Sequence, residues 1–366
     1  MSRCARSVAL GVVVLMVASA CTSASPEYEI VLDGLNEPRG LSISTDGTLC
    51  VAEAGTLADG QTVEEGPTAN RANTGSVTCV DSAGTRERII TQLPYVLYNI
   101  TGVTTGPADV VEIDGDIYLL TGEGEGNLAR SLLRIVDPSS PPDDVADFLA
   151  FAVETAEPDF LDEIDIISNP FAMILDRSGT RVLVTDGATG RVLAAGLDGE
   201  IRVFSEVPGH EVLTGIARGP DGSPYVASFS QLPHAEGDGA VLRLQSDGSF
   251  DIAVDDLTTP IDLGFDSSGR MYVLEFIDGT VSSDPYRGKT GQLVRFDVEG
   301  AGWAGRQVVV KNLPFPTALL VDDTDRIYIS VHGAFSAPGA GLVVRFDGLS
   351  ARPADELPSQ FAEEST

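Results

Sequence analysis

Pro38-Arg39-Gly40-Leu41-Ser42-Ile43-Ser44-Thr45-Asp46-Gly47-Thr48-Leu49-Cys50-Val51-Ala52-Glu53-Ala54 reads as a strand, a turn and a second strand. Leu41 and Ile43 alternate with Ser42 and Ser44, the period of a half-buried strand. Asp46-Gly47 is a two-residue hairpin signal, because Gly accepts the positive φ that a primed turn needs. Leu49 to Ala54 resumes the strand period. A lone hairpin of this kind is marginal. Its meaning comes from recurrence.

Working outward, Ser76 to Asp81 and Arg88 to Thr91 supply a third and a fourth strand. Between them and the hairpin lies a polar, Gly-rich insertion that ends at Gly75. Five further units follow, opening at Pro107, Pro170, Leu213, Pro260 and Pro316. Each repeats the order of apolar strand, turn and apolar strand. Val145 to Glu154 reads as a short strand passing into a helical turn, and Asp159 to Asp165 as an acidic loop. Gly122 to Gly126 lacks the Lys and Ser/Thr of a phosphate loop and reads as a flexible surface loop.

The sixth unit lacks its fourth strand. Tyr28 to Leu35 has the pattern of the fourth strands elsewhere, such as Arg306 to Leu313, and both runs lead into a Pro that opens the next unit. The N-terminal strand is therefore expected to complete the last unit. Six four-stranded units closed in this way predict an all-β, six-bladed β-propeller. Each twisted sheet has two apolar faces, and only a closed ring of sheets covers them all. The expected organisation is a signal peptide over 1–20, a tether over 21–27, the propeller over 28–350 and an acidic disordered tail over 351–366.

The 366 residues are 43% apolar, sufficient for a packed core. Lys and Arg number 23 against 55 Asp and Glu, a net charge of −32. Such a field repels phosphate backbones, which argues against a nucleic-acid partner. Arg3 and Arg6 precede an apolar run over Val8 to Val17, which is short for a membrane span of ~20 residues. Ala18-Ser19-Ala20 then precedes Cys21. This resembles a bacterial lipoprotein signal, with Ala18 where Leu or Val is usual. The resemblance implies cleavage before Cys21, lipid on its thiol and a location in the bacterial cell envelope, membrane-anchored and extracytoplasmic. The alternative is an ordinary secretory signal with Cys21 incidental.

Several short stretches together carry a family resemblance. They are Glu37 to Leu41, Val51 to Gly55, Thr105-Gly106-Pro107 with Asp109-Val110, Ser168 to Phe171, Thr214-Gly215 with Gly219 to Gly222, and Ile261-Asp262-Leu263. In this order the chain resembles the ScyD/ScyE family of exported, NHL-related propellers. The resemblance implies an NHL/TolB-like propeller fold and no defined activity. Members often carry His between Pro107 and Asp109, where this chain has Ala108.

In such a ring, loops entering the innermost strands and loops leaving the second strands meet at one mouth of the central channel. The expected ligand-binding residues there are Arg39, Glu53, Asp109, Glu123, Asn169, Asp186, Asp262, Glu275 and Thr317. Arg39 and Glu53 are expected to face that mouth together. Glu53, Asp186, Asp262 and Glu275, with Asp109, form a candidate Ca²⁺ set, since a hard cation takes carboxylate oxygens. The competing reading has these carboxylates capping backbone amides at strand ends. His332 is a weak candidate for a general base. The chain contains no HExxH, no GxSxG and no Cys pair at zinc spacing. A third reading is a redox enzyme of the quinone-dependent sugar dehydrogenase type, which would require a coloured cofactor and whose base and cofactor residues have no counterpart in this sequence.

Two functions follow. The first is a binding or scaffold module, expected to be monomeric, that takes a small-molecule or protein ligand at the top face. The second is a Ca²⁺-dependent hydrolase of the lactonase or phosphotriesterase type. Cys50 and Cys79 fall on neighbouring strands of one unit. They either form a disulfide or remain two buried thiols, because a one-residue change of register would put them on opposite faces.

Overall fold

Six short strands line the axis of the molecule: Pro38–Ile43, Pro107–Ile113, Pro170–Leu175, Leu213–Arg218, Pro260–Phe265 and Ala318–Val321. Each is the innermost strand of a separate antiparallel sheet, and the sheets are numbered here as blades 1 to 6 in that order. The computed structural model describes residues 28–57, 62–124, 126, 128–155, 168–210, 212–231, 234–279, 290–353 and 358–361. The expected signal peptide, the tether with Cys21 and the acidic loop over 159–165 lie outside these residues.

Blade 3 shows the plain pattern, Pro170–Leu175, Arg181–Asp186, Arg191–Gly196 and Ile201–Glu206 paired in succession. Blade 6 is composite, as the sequence implied: Tyr28–Leu35 pairs antiparallel with Gly341–Phe346. The architecture is a six-bladed β-propeller. Its core is divided among the seams between blades. Cys50, Val77 and Ile90 of blade 1, for example, pack with Val110, Leu119 and Leu133 of blade 2. Burial of two faces per sheet explains the near-continuous apolar runs of the second and third strands.

The approach to the innermost strands follows one repeated conformation. Gly34, Gln92, Asp256 and Asn312 have φ of 60°, 64°, 58° and 61°. Each is followed by a leucine (Leu35, Leu93, Leu257 or Leu313) that is at most 1% exposed. The left-handed residue turns the chain inward and the leucine pins it between blades. In blades 1, 5 and 6 the Pro that opens the unit (Pro38, Pro260 or Pro316) stands three residues after this leucine.

Three details differ from expectation. Asp46-Gly47 is part of a five-residue loop, Ser44 to Thr48, in which Asp46 accepts the Thr48 N–H at 2.9 Å. The two-residue turn occurs instead at Asp114-Gly115, where both φ values are positive, 54° and 89°. In blade 1 the outer strands run much farther than read from the sequence, over Ala69–Val80 and Arg86–Tyr98. This hairpin rises beyond the blade, and Thr104–Thr105 pairs back onto it. Finally, the tail over 351–366 is not without structure. Ser359–Gln360 pairs in parallel with Gly302–Leu313, and Phe361 is buried with its ring stacked 4.9 Å from that of Tyr28.

Candidate functional site

The channel between the innermost strands forms a cavity of about 440 Å³. Its composition follows from one column of the repeat. The residue two places after each opening Pro, or after Leu213 in blade 4, is Gly40, Asp109, Ala172, Gly215, Asp262 and Ala318 in blades 1 to 6. The order Gly, Asp, Ala occurs twice around the ring, so Asp109 and Asp262 sit in opposite blades.

Each Asp is built into the ring by the same contacts. Asp109 accepts the Val110 N–H at 2.8 Å and the Met173 N–H of blade 3 at 2.8 Å. Asp262 accepts the Leu263 N–H at 2.8 Å and the Leu319 N–H of blade 6 at 2.7 Å. Each therefore ties its blade to the next. The preceding blade supplies glycine for steric reasons. A Cβ on Gly40 would lie 2.7 Å from the Asp109 Cα, and one on Gly215 would lie 2.5 Å from the Asp262 Cα.

Both carboxyls open onto the channel while protein encloses them. Burial pushes Asp109 up to about 7. Burial, with repulsion from Asp109 as a smaller cause, pushes Asp262 up to about 8. At neutral pH Asp262 is thus mostly protonated and Asp109 is divided between its two forms.

Above them a smaller cavity of about 120 Å³ forms the mouth, with Arg39, Asn169, Phe171 and Thr317 in its wall. Three of the expected residues meet there, and all are engaged. Arg39 donates to the Thr104 carbonyl and hydroxyl, both at 3.0 Å. Asn169 accepts the Glu123 N–H at 3.2 Å. Thr317 donates to the Pro38 carbonyl at 2.6 Å, across the blade 6 to blade 1 seam. Glu123 lies beside the mouth and is buried, with a hydrogen bond from the Tyr98 hydroxyl; burial raises its pKa. Arg130 donates to the Gly124 carbonyl in the Gly-rich loop, whose Glu125 lies outside the described residues.

The second-strand carboxylates do not face the channel, which corrects their expected placement. Glu53 is fully buried inside blade 1. It accepts the Asn36 N–H at 2.7 Å, the Ser76 and Thr78 hydroxyls at 3.1 and 2.5 Å, and Arg88 at 3.1 Å. Glu275 repeats this in blade 5 with the Thr258 N–H, Gln292 and Arg306. Asp186 does so with Ser168 and the N–H groups of Asn169 and Ala188. All three hold the segment that leads into their blade's own innermost strand. Their role is the backbone cap weighed against metal binding.

The Ca²⁺ set of Glu53, Asp109, Asp186, Asp262 and Glu275 is therefore divided between blade interiors and the channel. Among the described residues, no three His, Cys, Asp or Glu side chains are grouped to hold a metal ion. The residues present do not fit that cofactor. His332 sits on a left-handed backbone, φ 55°, with its Nδ1 3.4 Å from the Ser336 hydroxyl.

Sequence reasoning missed a buried network at the foot of the raised hairpin. Glu37 is 5% exposed with φ 51°. It accepts from the Thr104 hydroxyl and lies 3.8 Å from Arg39. Burial raises its pKa against the pull of Arg39. Above this network, Asn36, Arg71, Asn73, Thr74, Arg88 and Tyr95 line a polar groove of about 580 Å³. Cys50 and Cys79 lie directly opposite in register, with Cα atoms 4.1 Å apart, and are joined as a disulfide.

No protein-family model matches the chain, and no curated protein matches it in sequence. Solved structures do resemble it. A putative oxidoreductase (glucose dehydrogenase) from Thermus thermophilus matches with a TM-score of 0.60 at 16% identity, over 87% of this chain and 99% of its own. The PQQ-bound aldose sugar dehydrogenase of Streptomyces coelicolor matches with a TM-score of 0.56 at 13% identity, over 88% and 98%. A luciferin-regenerating enzyme matches with 0.53 at 10% identity, over 88% and 96%. At these identities the likeness is one of fold. The chain shares the β-propeller fold with these proteins.

Proposed function

We propose that the protein is a lipid-anchored, extracytoplasmic propeller of the ScyD/ScyE kind that works as a binding or scaffold module. The observation that carries this reading is the state of the carboxylates. A Ca²⁺-dependent hydrolase needs several of them free at the mouth, and Glu53, Asp186 and Glu275 are instead saturated inside their blades. The groove on blade 1 supports a ligand on the same face, since it offers amide, hydroxyl and guanidinium groups in one concavity.

Two measurements test this. Thermal unfolding of the purified mature protein is expected to be the same in Ca²⁺ and in chelator, with no turnover across lactone and phosphotriester panels. Calcium-dependent stabilisation that disappears in Asp262→Asn, or turnover of either substrate class, would refute the reading. Mass spectrometry of the membrane fraction is expected to find an N-terminal peptide beginning at a lipid-modified Cys21. An unmodified N terminus cut elsewhere would remove the anchor.

A further inference from the structure

The face opposite the mouth holds a cleft between blades 3 and 4, with a volume of about 350 Å³. Four arginines line it: Arg177, Arg181, Arg202 and Arg218. This is a concentration of positive charge on a chain whose acidic residues outnumber its basic ones by 55 to 23. Arg181 is paired with Asp176. Among the described residues, no carboxylate lies within ion-pair distance of Arg177, Arg202 or Arg218.

Two carboxylates, Asp176 and Asp247, also line the cleft and Asp221 flanks it, so the four guanidinium groups outnumber the lining carboxylates by two, and each carboxylate has partners of its own. Asp176 takes Arg181 and the Ser178 N–H, Asp221 takes Arg243, and Asp247 takes the Ser249 N–H and hydroxyl. Backbone carbonyls position two of the unpaired guanidinium groups. Arg177 donates to the Asp221 carbonyl at 2.7 Å, and Arg218 to the Gly222 carbonyl at 3.0 Å and to that of Leu175. Carbonyls orient these groups without neutralising them. Gly222 makes room, since a Cβ there would lie 2.7 Å from the Arg177 Nε. Leu183, Val203, Phe204, Pro224 and Leu244 supply an apolar wall, and Val203 is 37% exposed.

We infer that this cleft is a binding site for a small organic anion, a carboxylate or phosphate group carried on an apolar body. Guanidinium forks match both anions bidentately. The apolar wall favours an organic anion over a bare ion. A cleft of this size suits a small molecule better than a macromolecular surface.

Calorimetric titration of the full-length mature protein tests the site with phenyl phosphate, benzoate, inorganic phosphate and benzyl alcohol. Arg202→Glu is the informative variant, because Arg202 is exposed and, among the described residues, its side chain takes part in no hydrogen bond or ion pair. Phenyl phosphate or benzoate is expected to bind saturably, more weakly from about 50 mM to about 500 mM salt, and roughly tenfold or more weakly to Arg202→Glu. Inorganic phosphate is expected to bind more weakly than phenyl phosphate, and benzyl alcohol not at all. The inference fails if neither organic anion binds, if Arg202→Glu binds them as the wild type does, or if inorganic phosphate binds as tightly as phenyl phosphate. It fails equally if an acidic peptide binds through Arg202 and the small anions do not.

Discussion

Asp109 and Asp262 make the stability of this protein fall as pH rises through neutrality. In the folded chain their carboxyls titrate near about 7 and about 8, while in the unfolded chain they return to the ordinary Asp value of 3.8. Between those limits the folded state holds two protons that the unfolded state has released. Stability contributed by groups of this kind is fully present below the unfolded pKa. It is lost as pH rises, at about 1.4 kcal/mol per pH unit for each group. From about pH 5 to about pH 7 the pair accounts for a loss on the order of 5 kcal/mol. Asp46, Asp81, Asp176, Asp221 and Asp322 have depressed values and act in the opposite sense, but below about pH 4. Urea unfolding of the wild type and of the double variant Asp109→Asn/Asp262→Asn, at pH values from about 5 to about 8, separates these contributions. The Asn amide will face a backbone N–H and lower stability at every pH, so the slope is the readout and not the offset. The wild-type curve is expected to fall steeply and the variant curve to be much flatter, with a remainder from Glu37, Glu123 and Asp144, whose values are raised, opposed at the acid end by His234, whose value burial lowers. Parallel curves would refute the reasoning.

Three further outcomes are expected. Glu53→Ala should destabilise by about 3–5 kcal/mol, because it strips a buried acceptor from Asn36, Ser76, Thr78 and Arg88; the loss in denaturant unfolding should be the same with and without Ca²⁺. Reducing the Cys50–Cys79 bridge, which spans a sequence separation of 29, should cost about 4 kcal/mol in the chain-entropy account, read as a lower urea midpoint in reductant that is absent from Cys50→Ala/Cys79→Ala. Gly40→Ala should cost about 3 kcal/mol through overpacking against the Asp109 backbone, and a Gly302→Ala control, which meets nothing within 4 Å, should lose less by thermal unfolding.

The ring and its closure were legible because they rest on local signals. Strand period, positive-φ turns and the Pro at the entry to five of the six innermost strands repeat openly. The side-chain geometry of the mouth was less legible. Glu53, Asp186 and Glu275 stand at strand ends, and a strand end near a channel suggests a side chain facing it. Their partners, such as Ser76 and Arg88 for Glu53, lie in neighbouring strands of the same sheet, and only the register places them under the carboxylate. The Gly, Asp, Ala column was present in the sequence all along. It appears when the repeats are aligned on the residue two places after Pro, and it is hidden when they are aligned on apolar alternation alone. The raised hairpin was missed for another reason. Arg86–Tyr98 continues past Leu93 through Pro94, which reads as a strand end, while the long partner strand accommodates it.

The composite last blade also decides how the molecule bears a load. A pull on the N-terminal side strains the rungs between Tyr28–Leu35 and Gly341–Phe346 one after another, in a peeling geometry, starting from Tyr28 opposite Phe346. At that first rung the Tyr28 ring lies 5.7 Å from Phe346 and 4.9 Å from Phe361. Three aromatic side chains thus meet at the first rung to be strained, one of them contributed by the segment beyond the last blade. Phe361 acts as a latch on the seam, so the grip on the first strand is set by residues more than three hundred positions away.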